Sequence, residues 1–296
     1  MASRLFIWTT TMAYCLLTGA TGLVGRYVLR GLLLADWRVA VLIRRTRMHT
    51  ARQRLEAVMN HWETLEGRVL PRPVLLEGDL CRPELGLDAR DRKWIAGHCD
   101  AVLHGAAAMK FRPDDDGEPA RTNVEGVRQV LDLCREAGIR KFHHVSTAYV
   151  CGLREGRILE TELDLGQQFG NVYEKSKIEG EKLVRAADIF DVLTVYRPAS
   201  VVGDSRTGHT TSYHGFYLPI QLGAAMASKV PTDEMGERVF KELGLNGRSM
   251  PPVPPRSSAS SWPPDRSSWG GSRWPSSAAP RSTSRTRWWC SLSPSR

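Results

Sequence analysis

The stretch Thr18 to Arg26, TGATGLVGR, follows the apolar run AYCLL and precedes the helix-like YVLRGLLLADW. Three glycines, Gly19, Gly22 and Gly25, therefore stand where a strand hands over to a helix. Glycine lacks a Cβ, so it turns tightly, admits a ligand to the backbone and lets a helix pack close to a sheet. A dinucleotide-binding turn needs all three properties, because a pyrophosphate rests on the helix N-terminus and takes hydrogen bonds from its free N–H groups. The spacing is G-x-x-G-x-x-G rather than the commoner G-x-G-x-x-G, so the turn acquires meaning only from the rest of the chain.

Beyond the turn, strand-like and helix-like patterns alternate over about two hundred residues, the signature of a parallel sheet covered by helices on both faces. AYCLLTG predicts the first strand, Gly22 to Asp36 a helix and WRVAVLIRR the second strand. ARQRLEAVMNHWETLE carries Leu55, Val58, Met59 and Trp62 at helical spacing, which is core packing. RPVLLEGDL predicts a third strand, CDAVLHGAA a fourth, NVEGVRQVLDLCREAG a helix stopped by Gly138, and RKFHHVSTAYV a fifth strand. A helix from about Tyr173 to Ala187 precedes a last strand, FDVLTVYRP. The expected class is α/β, a doubly wound Rossmann-type sheet, in which ligands bind outside the carboxyl ends of the strands.

The net charge of +9 raises the question of nucleic acid, but most of it lies in residues 251–296, and the first 250 residues carry only +3. No nucleic-acid partner is expected of the globular part. The six cysteines are scattered without a C-x-x-C pair or nearby histidines at ligand spacing, which predicts free thiols, no metal site and a reducing, cytoplasmic setting. In MASRLFIWTTTMAYCLL the polar TTT breaks the apolar run and no cleavage-like site comes after it, so no export signal is expected; residues 1–11 read as an appendage ahead of Met12. No run reaches the roughly 18 apolar residues of a spanning helix.

The carboxyl ends of the predicted strands hold the chemistry. After the second strand, where a carboxylate would hold the 2′-hydroxyl of NAD, stand Arg44, Arg45 and Arg47. A carboxylate there would repel a 2′-phosphate and a guanidinium would clamp it, so NADP(H) is expected over NAD(H), with Arg44 the first candidate. YEKSK places Tyr173 and Lys177 one helical turn apart on one face. A phenol titrates near pH 10, and an ammonium beside it stabilises its anion. Ser146 and Thr147 close the fifth strand, beside the HGAAA loop of the fourth, where a hydroxyl would polarise a substrate carbonyl while Tyr173 protonates its oxygen. His143 and His144 read as structural.

LLTGATGLVGRYVLR, EGDL, VLHGAAAMKF, TNVEGVRQVL, HHVSTAYVCG, YEKSKIEGEKLV and VYRPASVVGDSRTG together resemble the extended short-chain dehydrogenases/reductases. The likeness runs from Ala13 to Gly208 and is nearest to the branch of fatty acyl-CoA reductases and thioester reductase domains. The resemblance implies that Tyr173 is the acid/base, that Lys177 is its partner on the nicotinamide ribose, and that Thr147 rather than Ser146 is the catalytic hydroxyl. Asn123 is implied as a support of the site. It further implies a cofactor cradle of Thr18, Gly19, Ala20, Thr21, Gly22, Leu23, Val24 and Gly25, with Asp79 and Leu80 at the adenine and Ala106 and Ala107 along the cofactor. Arg197, Pro198, Ala199, Ser200 and Val201 would lie at the nicotinamide. The activity implied is NADPH-dependent reduction of an acyl thioester, on coenzyme A or a carrier protein, to aldehyde or alcohol. Sugar-nucleotide epimerases and reductases of hydrophobic ketones share the same catalytic set, and a non-catalytic NADP-binding protein or inactive fragment is the rival of another class. A homodimer is compatible with the sequence.

The domains expected are 12–208 for cofactor and catalysis, 209–250 for a small and incomplete substrate side, and 251–296 as a tail. TSYHGFYLPIQLGAAMASKV, Thr211 to Val230, suits a wall over an apolar substrate and equally an ordinary packed helix. The tail holds fourteen Ser, nine Pro and five Trp in 46 residues with no periodicity, so it cannot bury a continuous core. It reads as a shifted reading frame or truncation, the alternative being a basic tail for RNA or an acidic membrane surface.

Overall fold

The computed structural model describes residues 13–211 and Tyr217. The appendage 1–11, the tail 251–296 and most of 209–250 and of the Thr211 to Val230 stretch lie outside the described residues. All described residues belong to the first of two units, Met1–Tyr217.

Six strands form one sheet: β1 (Tyr14–Thr18), β2 (Val39–Ile43), β3 (Val74–Glu77), β4 (Cys99–His104), β5 (Lys141–Val145) and β6 (Val192–Tyr196). Their order is β3-β2-β1-β4-β5-β6, and every neighbouring pair is parallel. The order reverses beside β1, which opens a crevice at the carboxyl ends of β1 and β4. The helices are α1 (Leu23–Leu34), α2 (Ala51–Glu66), α3 (Ala89–His98), α4 (Gly126–Ala137) and α5 (Val172–Ala186).

Alternation along the strands divides the core in two. Leu16, Ala40, Leu42, Val102 and Phe142 face one way and pack with Ile95 of α3, Val127, Val130 and Cys134 of α4 and Val184 of α5. Leu17, Val39, Val41 and Ile43 face the other way, against Leu29 and Leu33 of α1 and Leu55, Val58, Met59 and Trp62 of α2. Both faces of β2 are covered, so VAVLI is buried throughout and carries no polar alternation.

Local sequence sets the boundaries. Thr50 and Gln53 form a reciprocal capping box at the start of α2, and Gly67 in the left-handed region ends it. Gly138, also left-handed, stops α4 as its position predicts. Three boundaries differ from the sequence reading. β3 ends at Glu77, so Gly78, Asp79 and Leu80 of RPVLLEGDL lie beyond it. β5 ends at Val145, after which Ala148–Cys151 tighten into a 3₁₀ turn because the Thr147 hydroxyl accepts the Tyr149 N–H. A π-helical turn, Arg121–Glu125, leads into α4. Helix α3 has no counterpart in the sequence reading: its polar ARDRKWIAGH has one buried residue, Ile95, and therefore almost no periodic stripe, although Asp88 caps it.

Candidate active site

The glycine turn is a steric interlock. Gly19 has φ +78°, and a Cβ on it would lie 2.6 Å from the Ala106 nitrogen. The buried Thr18 hydroxyl pairs with His104 Nδ1 at 2.8 Å and accepts the Ala106 N–H at 3.3 Å, which keys the turn to the loop after β4. A Cβ on Gly25 would stand 2.0 Å from the Gly19 carbonyl oxygen, so α1 can approach the turn only without one. Gly22 differs: it is extended, a Cβ there would meet nothing closer than 3.4 Å, and it gives α1 no side-chain cap. The N–H groups around Leu23 and Val24 thus open a twelve-residue helix without a capping side chain, a fit for a pyrophosphate. Ala20 is buried in the core beneath.

One side chain here has no forewarning motif. Arg54, on α2, donates through Nη2 to the Thr21 hydroxyl at 2.6 Å and through Nη1 to the Arg44 carbonyl at 2.7 Å. It joins the glycine turn to the loop after β2, where Arg44 is exposed. Burial, then the Arg44 charge, lower its pKa. Asp79 and Leu80 come after β3: the Asp79 carboxylate accepts the Cys81 N–H at 3.0 Å within its own turn, and the Leu80 side chain packs under Gly126. Ala107 is exposed after Ala106.

The other half of the crevice is made of side chains. Lys177 is buried on α5, its ammonium donating to the Val145 carbonyl at 2.8 Å, and burial lowers its pKa to about 8 although Glu181 opposes that. Tyr173 lies one turn before it. Burial pushes its phenol above the ordinary value, the Thr147 hydroxyl within hydrogen-bonding reach pulls it down, and Tyr149 pushes it up. The Lys177 ammonium is held by the Val145 carbonyl, and the phenol one turn before it lies above its ordinary value. Asn123 accepts the Ala108 N–H at 2.8 Å and donates to the Ala108 carbonyl and to Ser176 Oγ, each at 2.9 Å, fastening the loop after β4 to α5.

Two more of the site side chains converge on Glu181. The Ser146 hydroxyl donates to Glu181 Oε2 at 2.6 Å, so it faces that carboxylate and not Tyr173. The Arg197 guanidinium also turns to Glu181, at 2.7 Å from Nη2, and to the Glu162 carbonyl at 2.8 Å, which leaves only the backbone turn of Pro198, Ala199, Ser200 and Val201 beyond β6 at the crevice. Ser200 Oγ and the Tyr149 hydroxyl pair at 2.7 Å. Glu181 escaped the sequence reading, yet it continues the Tyr173, Lys177 face by four residues, which was the signal available. His144 is buried and stacks on His104 at 5.5 Å, and neither of its ring nitrogens has a hydrogen-bond partner among the described residues. Among the described residues no group of three or more His, Cys, Asp or Glu could hold a metal ion, and no helix is long and apolar enough to cross a membrane.

The 3-2-1-4-5-6 sheet, the glycine cradle and a Tyr-x-x-x-Lys helix define an NAD(P)-binding oxidoreductase fold of the extended short-chain dehydrogenase/reductase type. An NAD-binding family model described as "Male sterility protein" matches residues 17–238, and the chain belongs to that family. It is similar to Peramine synthetase A of Epichloe festucae, 32% identical over 206 residues, 65% of this chain and 7% of that protein. It is also similar to the fatty acyl-CoA reductase wat of Drosophila melanogaster, 24% identical over 248 residues, 72% of this chain and 48% of that protein. Among solved structures, the terminal R domain from the myxalamid PKS-NRPS biosynthetic pathway is 31% identical with a TM-score of 0.59, over 73% of this chain and 55% of that one. The chain thus spans a small part of the synthetase and about half of the reductase and of the solved domain.

Proposed function

We propose that the chain is an NADPH-dependent reductase of acyl thioesters, carried on coenzyme A or a carrier protein, with residues 12–208 supplying cofactor binding and catalysis. The observation that carries this reading is the Thr147 hydroxyl within hydrogen-bonding reach of Tyr173, with the buried Lys177 one helical turn on and an uncapped glycine cradle ahead of α1, in a chain whose relatives include a fatty acyl-CoA reductase and a solved R domain. When bound, the nicotinamide supplies hydride to the substrate carbonyl carbon. The chain does the rest. Thr147 donates a hydrogen bond to the carbonyl oxygen as negative charge gathers there, and Tyr173 gives that oxygen its proton. A phenol held protonated by burial suits a donor. Lys177, its charge retained below about pH 8, offsets the phenolate left behind.

Two features support NADP over NAD: Arg44 and Arg54 bring two guanidinium groups to the end of β2, where a 2′-phosphate would relieve their repulsion. An acyl substrate is supported by Phe111, half-exposed with its ring edge-on to Tyr173 at 6.0 Å between centroids, and by the exposed Tyr149 nearby. The free thiols of Cys15, Cys81, Cys99 and Cys134 accord with a reducing, cytoplasmic setting. Fluorescence titration with NADPH and NADH, and then NADPH oxidation with octanoyl-CoA, tests the reading. Tighter binding of NADPH and thioester-dependent oxidation are expected; equal affinity for the two nucleotides removes the 2′-phosphate assignment, and no oxidation removes the acyl-thioester one.

A further inference from the structure

Glu181 is the one fully buried carboxylate among the described residues. Its donors come from three elements. Ser146 Oγ, just past β5, reaches Oε2 at 2.6 Å; Arg197, just past β6, reaches Oε1 from Nη2 at 2.7 Å and both oxygens from Nε at 3.1 Å; Arg185 of α5 reaches Oε1 at 2.8 Å. Thr147 sits between the two tethered positions. Ser146 N–H donates to the Tyr196 carbonyl at 2.7 Å and Ala148 N–H to the Pro198 carbonyl at 2.9 Å, so the backbone on either side of Thr147 is laddered to the strand end that Arg197 anchors. The Thr147 hydroxyl itself lies 3.4 Å from the Pro198 carbonyl.

We propose that Glu181 is a positioning residue for proton donation: through Ser146 and Arg197 it fixes where the Thr147 hydroxyl stands against Tyr173, and it places a negative charge one turn beyond Lys177. The proposal rests on the reductase reading, which makes Thr147, Tyr173 and Lys177 the working set. Burial alone would drive the Glu181 carboxyl upward, but Arg197, Ser146 and Arg185 together hold it below its ordinary value, so it is ionised at neutral pH. The titratable groups that act on Lys177 are His104 of β4, His144 of β5 and Glu181 of its own helix, with Tyr173 one turn before it. Both imidazoles are kept neutral by burial, and Tyr173 is protonated, so Glu181 is the charge that counters the desolvation of the ammonium. A carboxylate that served packing alone would be replaceable by its amide, which keeps the shape and an acceptor for Ser146.

The test compares the full chain with Glu181→Gln and Ser146→Ala. NADPH affinity and octanoyl-CoA reduction are measured from about pH 6 to about pH 10. Wild type should lose both as the pH passes about 8, where Lys177 gives up its proton. In Glu181→Gln that limb should move to lower pH by on the order of one unit, and kcat should fall about tenfold or more, with KM for NADPH at low pH within about threefold. Ser146→Ala keeps the charge and cuts one tether, so kcat should fall at least about threefold with the limb in place. An unmoved limb with unchanged kcat in Glu181→Gln, or an unchanged kcat in Ser146→Ala should the first variant fail to fold, overturns the proposal. A wild type that binds NADPH but reduces no acyl-CoA defeats the acyl reading only, and the limb in affinity still decides Glu181. A wild type that binds neither nucleotide overturns the reductase reading and this proposal with it.

Discussion

The two faces of the sheet are built on different terms. The face under α1 and α2 is a closed apolar layer in which every buried side chain of the cluster is a hydrocarbon, a thioether or an indole. The opposite face begins the same way around Leu16, Val102 and Phe142, then turns polar toward the carboxyl ends of the strands, where Thr18, His104, His144, Asn123, Ser176, Lys177 and Glu181 are all buried. Buried polar groups cost stability unless each finds a partner, and the unpartnered His144 nitrogens show a place where they do not. One face therefore supplies stability, and the other gives some of it up to hold a site.

The largest effect that sharpens this contrast is chemical. Tyr173→Phe should lower thioester reduction by about 10²- to 10⁴-fold, the range of general acid catalysis, with the melting temperature nearly unchanged; full activity in the variant would remove the phenol from the mechanism. On the apolar face, Met59→Ala should cost about 2–5 kcal/mol in urea unfolding and leave the activity of the folded fraction intact. Acid should strike the polar face selectively. Burial holds His104 neutral down to about pH 3, so the unfolded chain takes up a proton that the folded chain refuses. Stability from this group is complete above about pH 6.5 and is lost as the pH falls from there toward 3, on the order of 2 kcal/mol by pH 4.5, read as a falling melting temperature that His104→Phe blunts. Arg54→Met should weaken NADPH binding about tenfold and NADH binding far less. The smallest change expected is Thr50→Ala, about 1 kcal/mol, confined to stability because it removes only the cap of α2.

The apolar face was almost wholly legible in the sequence, because ARQRLEAVMNHWETLE repeats at helical spacing and brings its own capping box. α3 was not, since one buried isoleucine makes no stripe. At the polar end the backbone elements of the site were readable, the three glycines and the Tyr-x-x-x-Lys step among them, because each requirement is local. Where the Ser146 hydroxyl and the Arg197 guanidinium point is set by Glu181, thirty-five residues from Ser146 and sixteen from Arg197, and no short pattern encodes a contact at such separations. Arg54 escaped for the same reason: it meets Thr21 across thirty-three residues.

The interlock of Gly19 and Gly25 bears on how such a chain tolerates change. A side chain at 25 meets a carbonyl oxygen of the turn, and one at 19 meets the neighbouring loop, so the obstruction in both cases is main chain and no rotamer relieves it. Position 22 has room for a methyl group. In a library saturating the three codons, survivors selected for folding alone should be monomorphic at 19 and 25 yet diverse at 22, and only a second round selected for nucleotide capture should return 22 to glycine. On that outcome the one motif would split into two parts, a pair that the architecture requires and a single residue that only the guest requires.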